Sequence, residues 1–430
     1  MLKKILTIAF TLLLSTAYLS AQRVEKTSYE FDFAAKTNKG DVWAVTPQTI
    51  FSEEQGYGYD FNTSWDGRSA SPFYFSVNVP DGNYRVTVTL GSKKKATETT
   101  VRAESRRLFV ENLALVKGKT EVKTFVVNKR NTRIGDKEHV KIKPREKSKL
   151  NWDDKLTIEF NGDMPSVISM KIEQVDVPTV FLCGNSTVVD QDYEPWASWG
   201  QMITRFMTDE VAIANYAESG ETADGFIARG RLKKILSVMK KGDYIFMEFG
   251  HNDQKSDDRV GHGAFYSFQH QLKIFVDEAH KRGATPILVT PTMRRKFEKG
   301  VNVNTHKDYP EAIRFMAQRE GLALIDLQAM TQVLYETLGE EDSKRALVHY
   351  PANSFPNQGN QVLADNTHFN TYGAYQVAKM VLRGIEDARL PLTKYISKDF
   401  KGYSPAHPDC WKTFKWNLSP FSEIEKPDGN

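Results

Sequence analysis

The order of apolar and polar positions divides the chain into two halves of different period. Residues 73–79 alternate apolar with polar, Pro80-Asp81-Gly82-Asn83 reads as a turn, and residues 84–90 alternate again. Further runs at 105–110, 123–127 and 155–160 keep the spacing of a β-sandwich or jelly roll. After Asp176-Val177-Pro178 the period changes. Continuous apolar runs at 179–183, 211–214, 244–249, 286–290 and 323–325 predict parallel strands buried on both faces. Between them, amphipathic stretches such as 225–239, 264–281, 309–320 and 371–385 are long enough for crossover helices. The expected fold is a three-layer α/β domain preceded by an all-β domain. From Leu390 onward the chain is rich in Pro and aromatics without a period, and is expected to wrap over one of the two domains.

The first residues read as an address label. Lys3 and Lys4 precede an apolar run at 5–19, and Leu19-Ser20-Ala21-Gln22 is a cleavage site for a signal peptide spanning 1–21. That run is shorter than the roughly 20 residues needed to span a bilayer, so no membrane insertion is expected after cleavage. The expected organisation is then a sandwich at 22–177, a catalytic domain at 178–390 and an extension at 391–430, in an exported periplasmic or extracellular protein. The 430 residues are 40% hydrophobic and 26% charged, an ordinary globular balance. The net charge of +4 is dispersed, with no aromatic-interleaved basic stripe, which argues against a nucleic-acid partner. Cys183 and Cys410 are expected to be unpaired thiols, with Cys183 buried in its strand.

Open α/β sheets bind ligands beyond the carboxyl ends of their strands, so the segments after each apolar run deserve inspection. Gly184-Asn185-Ser186-Thr187 puts a hydroxyl at the mouth of the sheet. Gly220 closes the run that begins at Asn215, where a glycine N–H can approach a reacting oxygen. Gly250-His251-Asn252-Asp253 sets four polar groups after the third strand. In a late loop, Asp365 and His368 stand three residues apart, which lets a carboxylate reach the imidazole Nδ1 and fix the tautomer for proton abstraction. Singly, each has a plainer reading as a turn residue, a helix cap or a surface group.

Together, in this chain order, the four segments resemble the SGNH (GDSL-type) hydrolase superfamily over residues 178–388, whose sheet is flavodoxin-like. Ser198-Trp199-Gly200-Gln201, the block at 249–253, and Thr290-Pro291 followed by Arg294-Arg295 are similar to the rhamnogalacturonan acetylesterase family. The resemblance implies Ser186 as nucleophile, His368 as base and Asp365 as its partner. It implies an oxyanion hole of the Ser186 N–H, the Gly220 N–H and the Asn252 amide, with no cofactor and no metal. His251, Trp199, Arg294 and Arg295 are candidate substrate contacts; the two arginines suit carboxylates of an acidic sugar backbone or salt bridges within the fold equally well. Asn185 departs from the superfamily, which usually has Asp there. Phe31-Asp32-Phe33 and Gly56-Tyr57-Gly58-Tyr59-Asp60 are similar to a galactose-binding-type sandwich.

The implied activity is removal of acetyl groups from an acetylated plant polysaccharide, with pectic rhamnogalacturonan the expected substrate and acetylxylan the alternative. A catalytically silent polysaccharide-binding protein is the alternative of another class. A metal-dependent phosphoesterase is disfavoured because no Asp-x-His or His-Glu-x-x-His motif occurs, and an α/β-hydrolase lipase because Val188 ends the Gly-x-Ser-x-Gly pattern.

Overall fold

The parallel strands form in the order Ala323–Ile325, Thr285–Val289, Tyr244–Glu248, Thr179–Gly184 and Ala212–Asn215 across the sheet. The computed structural model describes residues 28–256, 261–420 and 424–428; the expected signal peptide lies outside the described residues. By chain position that order is the flavodoxin-like one, and its switch point, where sheets of this kind bind ligands, falls between Thr179–Gly184 and Tyr244–Glu248.

Side chains alternate across these strands, and both faces are apolar, so each face must be covered. Val180, Leu182, Phe246, Ile287 and Val289 pack under the helices Trp199–Met202, Leu327–Asp342 and Thr371–Asp387. Phe181, Cys183, Ile245, Met247 and Leu288 pack under Gln269–Lys281, Tyr309–Glu320 and a helical pair. That pair corrects an expectation of one helix over 225–239. The chain forms Ala223–Ala228 and Arg231–Val238 instead, broken at Gly230, whose φ of 78° is left-handed. A residue in that conformation ends a helix, and glycine adopts it without a Cβ penalty.

The first half is a sandwich. One antiparallel sheet runs Tyr57–Asp60, Phe73–Asn78, Lys155–Met164, Thr97–Ala103, Arg107–Leu115. The facing layer contains Thr120–Lys129, Gly82–Gly91, Ser169–Val175, Ser28–Asp32 and Val42–Ala44. Phe31, Phe75, Val86, Val88, Ile158 and Ile172 fill the space between them.

The two halves share a sheet. Thr120–Lys129 pairs in parallel with Ala212–Asn215 at Val127 and Ile213, so one ten-stranded sheet runs through both. Ile134, Val140 and Trp152, from the sandwich half, lie in the core of the α/β layer.

The tail wraps over both halves rather than one. Trp411, Phe414 and Trp416 pack on the α/β core, while the Arg102 guanidinium lies 4.1 Å over the Trp416 ring and Ser419 bonds Tyr74 at 2.8 Å. Cys183 is buried and Cys410 exposed, and the two are not bonded to each other. Among the described residues no helix is long and apolar enough to cross a membrane.

Candidate active site

Ser186 follows the first parallel strand and Asn252 the third, so the two flank the switch point. The turn that presents Ser186 is held by its neighbours. Asn185 Oδ1 accepts from the Thr187 N–H at 3.1 Å and its hydroxyl at 3.0 Å, and the Asn185 amide donates to the Glu248 carbonyl at 3.3 Å. The Ser186 carbonyl accepts from Gln191 Nε2 at 2.8 Å and Ser198 Oγ at 2.6 Å. Asn185 thus performs the tethering with a neutral amide.

Asp365 and His368 do not lie in a loop. They sit in the strand Leu363–Phe369, which pairs antiparallel with Leu347–Tyr350. In a regular strand residues three apart point to opposite faces. Here the register shifts between the pairs His349–Ala364 and Leu347–Phe369, leaving extra residues on one side, and Asp365 and His368 occupy that bulge. Asp365 Oδ1 accepts from the Thr367 and His368 N–H groups at 2.9 and 3.0 Å, which folds the carboxylate back toward the imidazole.

The result is a continuous relay: Ser186 Oγ to His368 Nε2 is 2.9 Å, and His368 Nδ1 to Asp365 Oδ2 is 2.8 Å. All three residues are buried. Burial opposes the Asp365 carboxylate, yet the hydrogen bond and charge of His368 and the two backbone donors hold its carboxyl well below the usual range. An imidazole bonded to a carboxylate through Nδ1 leaves Nε2 free to accept a hydroxyl proton, the arrangement that activates a serine.

Asn252 Nδ2 donates to the Glu221 carbonyl at 3.0 Å, which brings the 250–253 block against the loop carrying Gly220. Gly220 has a φ of 74°, and a Cβ there would come within 2.9 Å of Asp428. Asp253 braces the block by accepting from the Ala223 and Gly250 N–H groups at 2.8 and 2.7 Å; burial pushes its carboxyl up to about 6.

The expected substrate contacts fare differently. Trp199 is fully buried with its indole N–H on Glu248 at 2.5 Å, so it is packing and not a sugar platform. His251 is buried between His306, at 3.0 Å, and Thr292, at 3.2 Å; burial first, then His306 and Arg294, hold it well below the usual histidine range, so it stays neutral. Arg294 donates to the His251 carbonyl at 2.8 Å and Thr305 at 3.1 Å. Arg295 donates to Ser343 at 3.0 Å, Asn366 at 3.2 Å and the Glu340 carbonyl, clamping the strand that bears the acid and base. Both arginines are committed inside the fold. Among the described residues no three of His, Cys, Asp and Glu gather as metal ligands.

Sequence reasoning did not find Glu248. It lies beneath the nucleophile turn, accepting from Thr187 Oγ1 at 2.7 Å as well as from Trp199, and burial pushes its carboxyl up to about 7. Its one signal was a carboxylate closing an otherwise apolar strand.

A family model described as "GDSL-like Lipase/Acylhydrolase family" matches residues 182–374. The rhamnogalacturonan acetylesterase RhgT of Bacillus subtilis (strain 168) is 40% identical over 220 residues, which are 50% of this chain and 93% of that protein. An uncharacterized esterase of the same organism, YxiM, is 23% identical over 414 residues, 90% of this chain and 98% of its own. The crystal structure of YxiM covers 85% of this chain and 99% of its own at 21% identity, with a TM-score of 0.46.

Proposed function

This chain belongs to the GDSL-like lipase/acylhydrolase family and is a carboxylic ester hydrolase, and from that premise we propose that Ser186, His368 and Asp365 are its triad and acetylated pectic rhamnogalacturonan its substrate. The observation that carries the triad is the relay of 2.9 and 2.8 Å from Ser186 Oγ through His368 to Asp365.

In the cycle, Ser186 Oγ attacks the acetyl carbonyl while His368 Nε2 takes its proton. The oxyanion forms against the Ser186 N–H, the Gly220 N–H and the Asn252 amide, donors fixed before the reaction begins. Collapse breaks the bond to the sugar oxygen, which leaves with the proton from His368. Water, deprotonated by His368, then attacks the acetyl-serine; acetate departs and the proton returns to Ser186 Oγ. Asp365 keeps the Nδ1 proton in place and stabilises the imidazolium. The substrate reading draws on the acetylesterase relative named for rhamnogalacturonan. We also propose export, on the strength of residues 1–21, which N-terminal sequencing of the mature protein checks.

Acetate release from acetylated pectic rhamnogalacturonan and from acetylated xylan, with a chelator present, tests this. Release from pectin that is abolished in Ser186→Ala upholds both chemistry and substrate. Release from xylan alone moves the substrate, and a Ser186→Ala protein with full activity ends the triad assignment.

A further inference from the structure

The sandwich half reaches the candidate oxyanion hole through a short 3-10 turn, Pro144–Glu146, flanked by Lys143. The turn is anchored from below. Glu146 is fully buried, accepts from the Lys143 N–H at 2.8 Å and from the Trp152 indole at 3.0 Å, and pairs with Arg231 at 2.5 Å. Lys143 and Arg145 therefore stand on a rigid base with side chains only about 15% exposed. Lys143 Nζ donates to the Ser219 carbonyl and lies 3.2 Å from Glu221; a Cβ on Gly220 would sit 3.2 Å from it.

A carboxylate already lies on these two cations. Asp428 comes within 3.8 Å of Lys143 Nζ and 3.4 Å of Arg145 Nη1, directly against Gly220. The segment 424–428 starts with Ile424 on the Trp196, Val348 and Leu363 cluster and passes Asp365, 3.9 Å from Lys426 Nζ, before reaching Gly220. The segment 424–428 thus crosses the candidate triad and places the Asp428 carboxylate beside the candidate oxyanion hole.

Among the described residues, the ion pairs around that acid hold one more cation than carboxylate without it. Lys143, Arg145, Lys149, Arg229 and Arg231 face Glu146, Glu218, Glu221 and Asp192, and Asp428 is the remaining carboxylate. Glu218 feels these cations: burial opposes its charge, yet Lys149, Arg231, Lys143 and Arg145 hold its carboxyl below the usual range.

We propose that Lys143 and Arg145 form a subsite for the carboxylate of an acidic sugar, beside the acetyl ester to be cleaved, and that Asp428 occupies this subsite until substrate displaces it. The proposal rests on the triad and oxyanion-hole reading above. The carboxylate belongs to the acetylated residue or its neighbour, because Lys143 bonds the Ser219 carbonyl next to Gly220 and Arg145 meets it through the shared Asp428. This places acidic-backbone recognition on the sandwich half, not on Arg294 and Arg295, which are spent within the fold.

The test compares kcat/KM on acetylated galacturonate-containing oligosaccharides with that on acetylated xylo-oligosaccharides. In Arg145→Gln and Lys143→Gln the acidic-to-neutral ratio should fall about tenfold or more, chiefly through KM, as expected for loss of one charge-assisted contact. Asp428→Asn, on a half-exposed side chain with little bearing on folding, should lower KM for the acidic substrate about threefold or more by removing an intramolecular competitor. A wild type indifferent to substrate carboxylates ends the substrate reading and the subsite together. A wild-type preference that survives in both cation variants overturns the subsite alone. Should those variants not fold, an unchanged KM in Asp428→Asn overturns it.

Discussion

Ser186, Asn252 and Glu248 stand at the carboxyl ends of two paired strands yet predict different measurements. On the proposed triad, Ser186→Ala should lower kcat by roughly 10⁴ to 10⁶, while Asn252→Ala, which removes a proposed oxyanion donor, should cost about 10² to 10³. Equal losses in steady-state kinetics would deny Asn252 its separate role. Glu248 governs stability instead. Its carboxyl is pushed up by burial to about 7 in the folded chain, against an ordinary 4.5. A raised pKa means that its stabilising contribution is fully present below about 4.5 and is lost as pH rises through about 7, a swing of about 3 kcal/mol. Glu248→Gln carries no such proton, so its melting temperature should gain on the wild type between pH 4.5 and 8; a constant difference would show that Glu248 titrates normally. Ser186, His368 and Asp365 were legible because their order and spacing form a pattern along the chain. Lys143, Arg145 and Asp428 were not, since their partners at Gly220 and Glu218 are distant in sequence and no local pattern encodes such a meeting.

An element can place a side chain only as well as its own neighbours hold it. The loop after Ser186, residues 190–196, is gripped by a hairpin of the sandwich: Arg106, in the turn, pairs with Glu194 at 2.6 Å and donates to the Trp196 carbonyl at 2.8 Å, and Arg107, at the start of the next strand, pairs with Asp190 at 3.2 Å. These ions are almost fully buried. Breaking one side leaves the Glu194 charge without a counter-ion away from water, held only by the neutral Trp416 and Ser419 donors, so Arg106→Ala should cost about 3 to 5 kcal/mol in urea unfolding. A loss below about 1 kcal/mol, the range of surface pairs, would mean that water reaches Glu194. Periodicity located the parallel strands to within a residue, as at Thr179–Gly184 and Ala323–Ile325, because a two-faced apolar run leaves few alternatives; in the sandwich half the runs at 105–110, 123–127 and 155–160 extend to Arg107–Leu115, Thr120–Lys129 and Lys155–Met164. It failed where backbone conformation overrides period. Gly230 splits a helix whose apolar spacing continues across it, and the bulge in Leu363–Phe369 brings Asp365 and His368 to one side of a strand that their spacing suggested was a loop.

At the scale of the whole molecule, the change of period near residue 177 predicted two halves, and the two kinds of layer are indeed there. What the pattern does not carry is how deeply they interpenetrate. A strand records which of its faces is buried, not which strand will lie at its edge, so nothing in 120–129 or 212–215 announces their pairing at Val127 and Ile213. Nor does a period show that Ile134, Val140 and Trp152 will be buried in the other half's core, or that Leu108 will join the cluster beneath Trp199. This interpenetration has a thermodynamic consequence. Two modules that merely touch unfold separately, whereas a shared sheet, buried cross-pairs such as Arg106 with Glu194, and a tail lying on both couple the halves. Calorimetry of the full chain should therefore show one transition whose van't Hoff and calorimetric enthalpies agree. A fragment beginning at residue 178 should bind a hydrophobic dye and lose its cooperative melt, because the groove that held Trp152 and Ile134 would open to water. Two resolved transitions in the full chain, with an intact melt in the fragment, would show that the sandwich is an appendage, and would then require the basic turn at Lys143 and Arg145 to hold its place beside Gly220 by the tail and the local ion pairs alone.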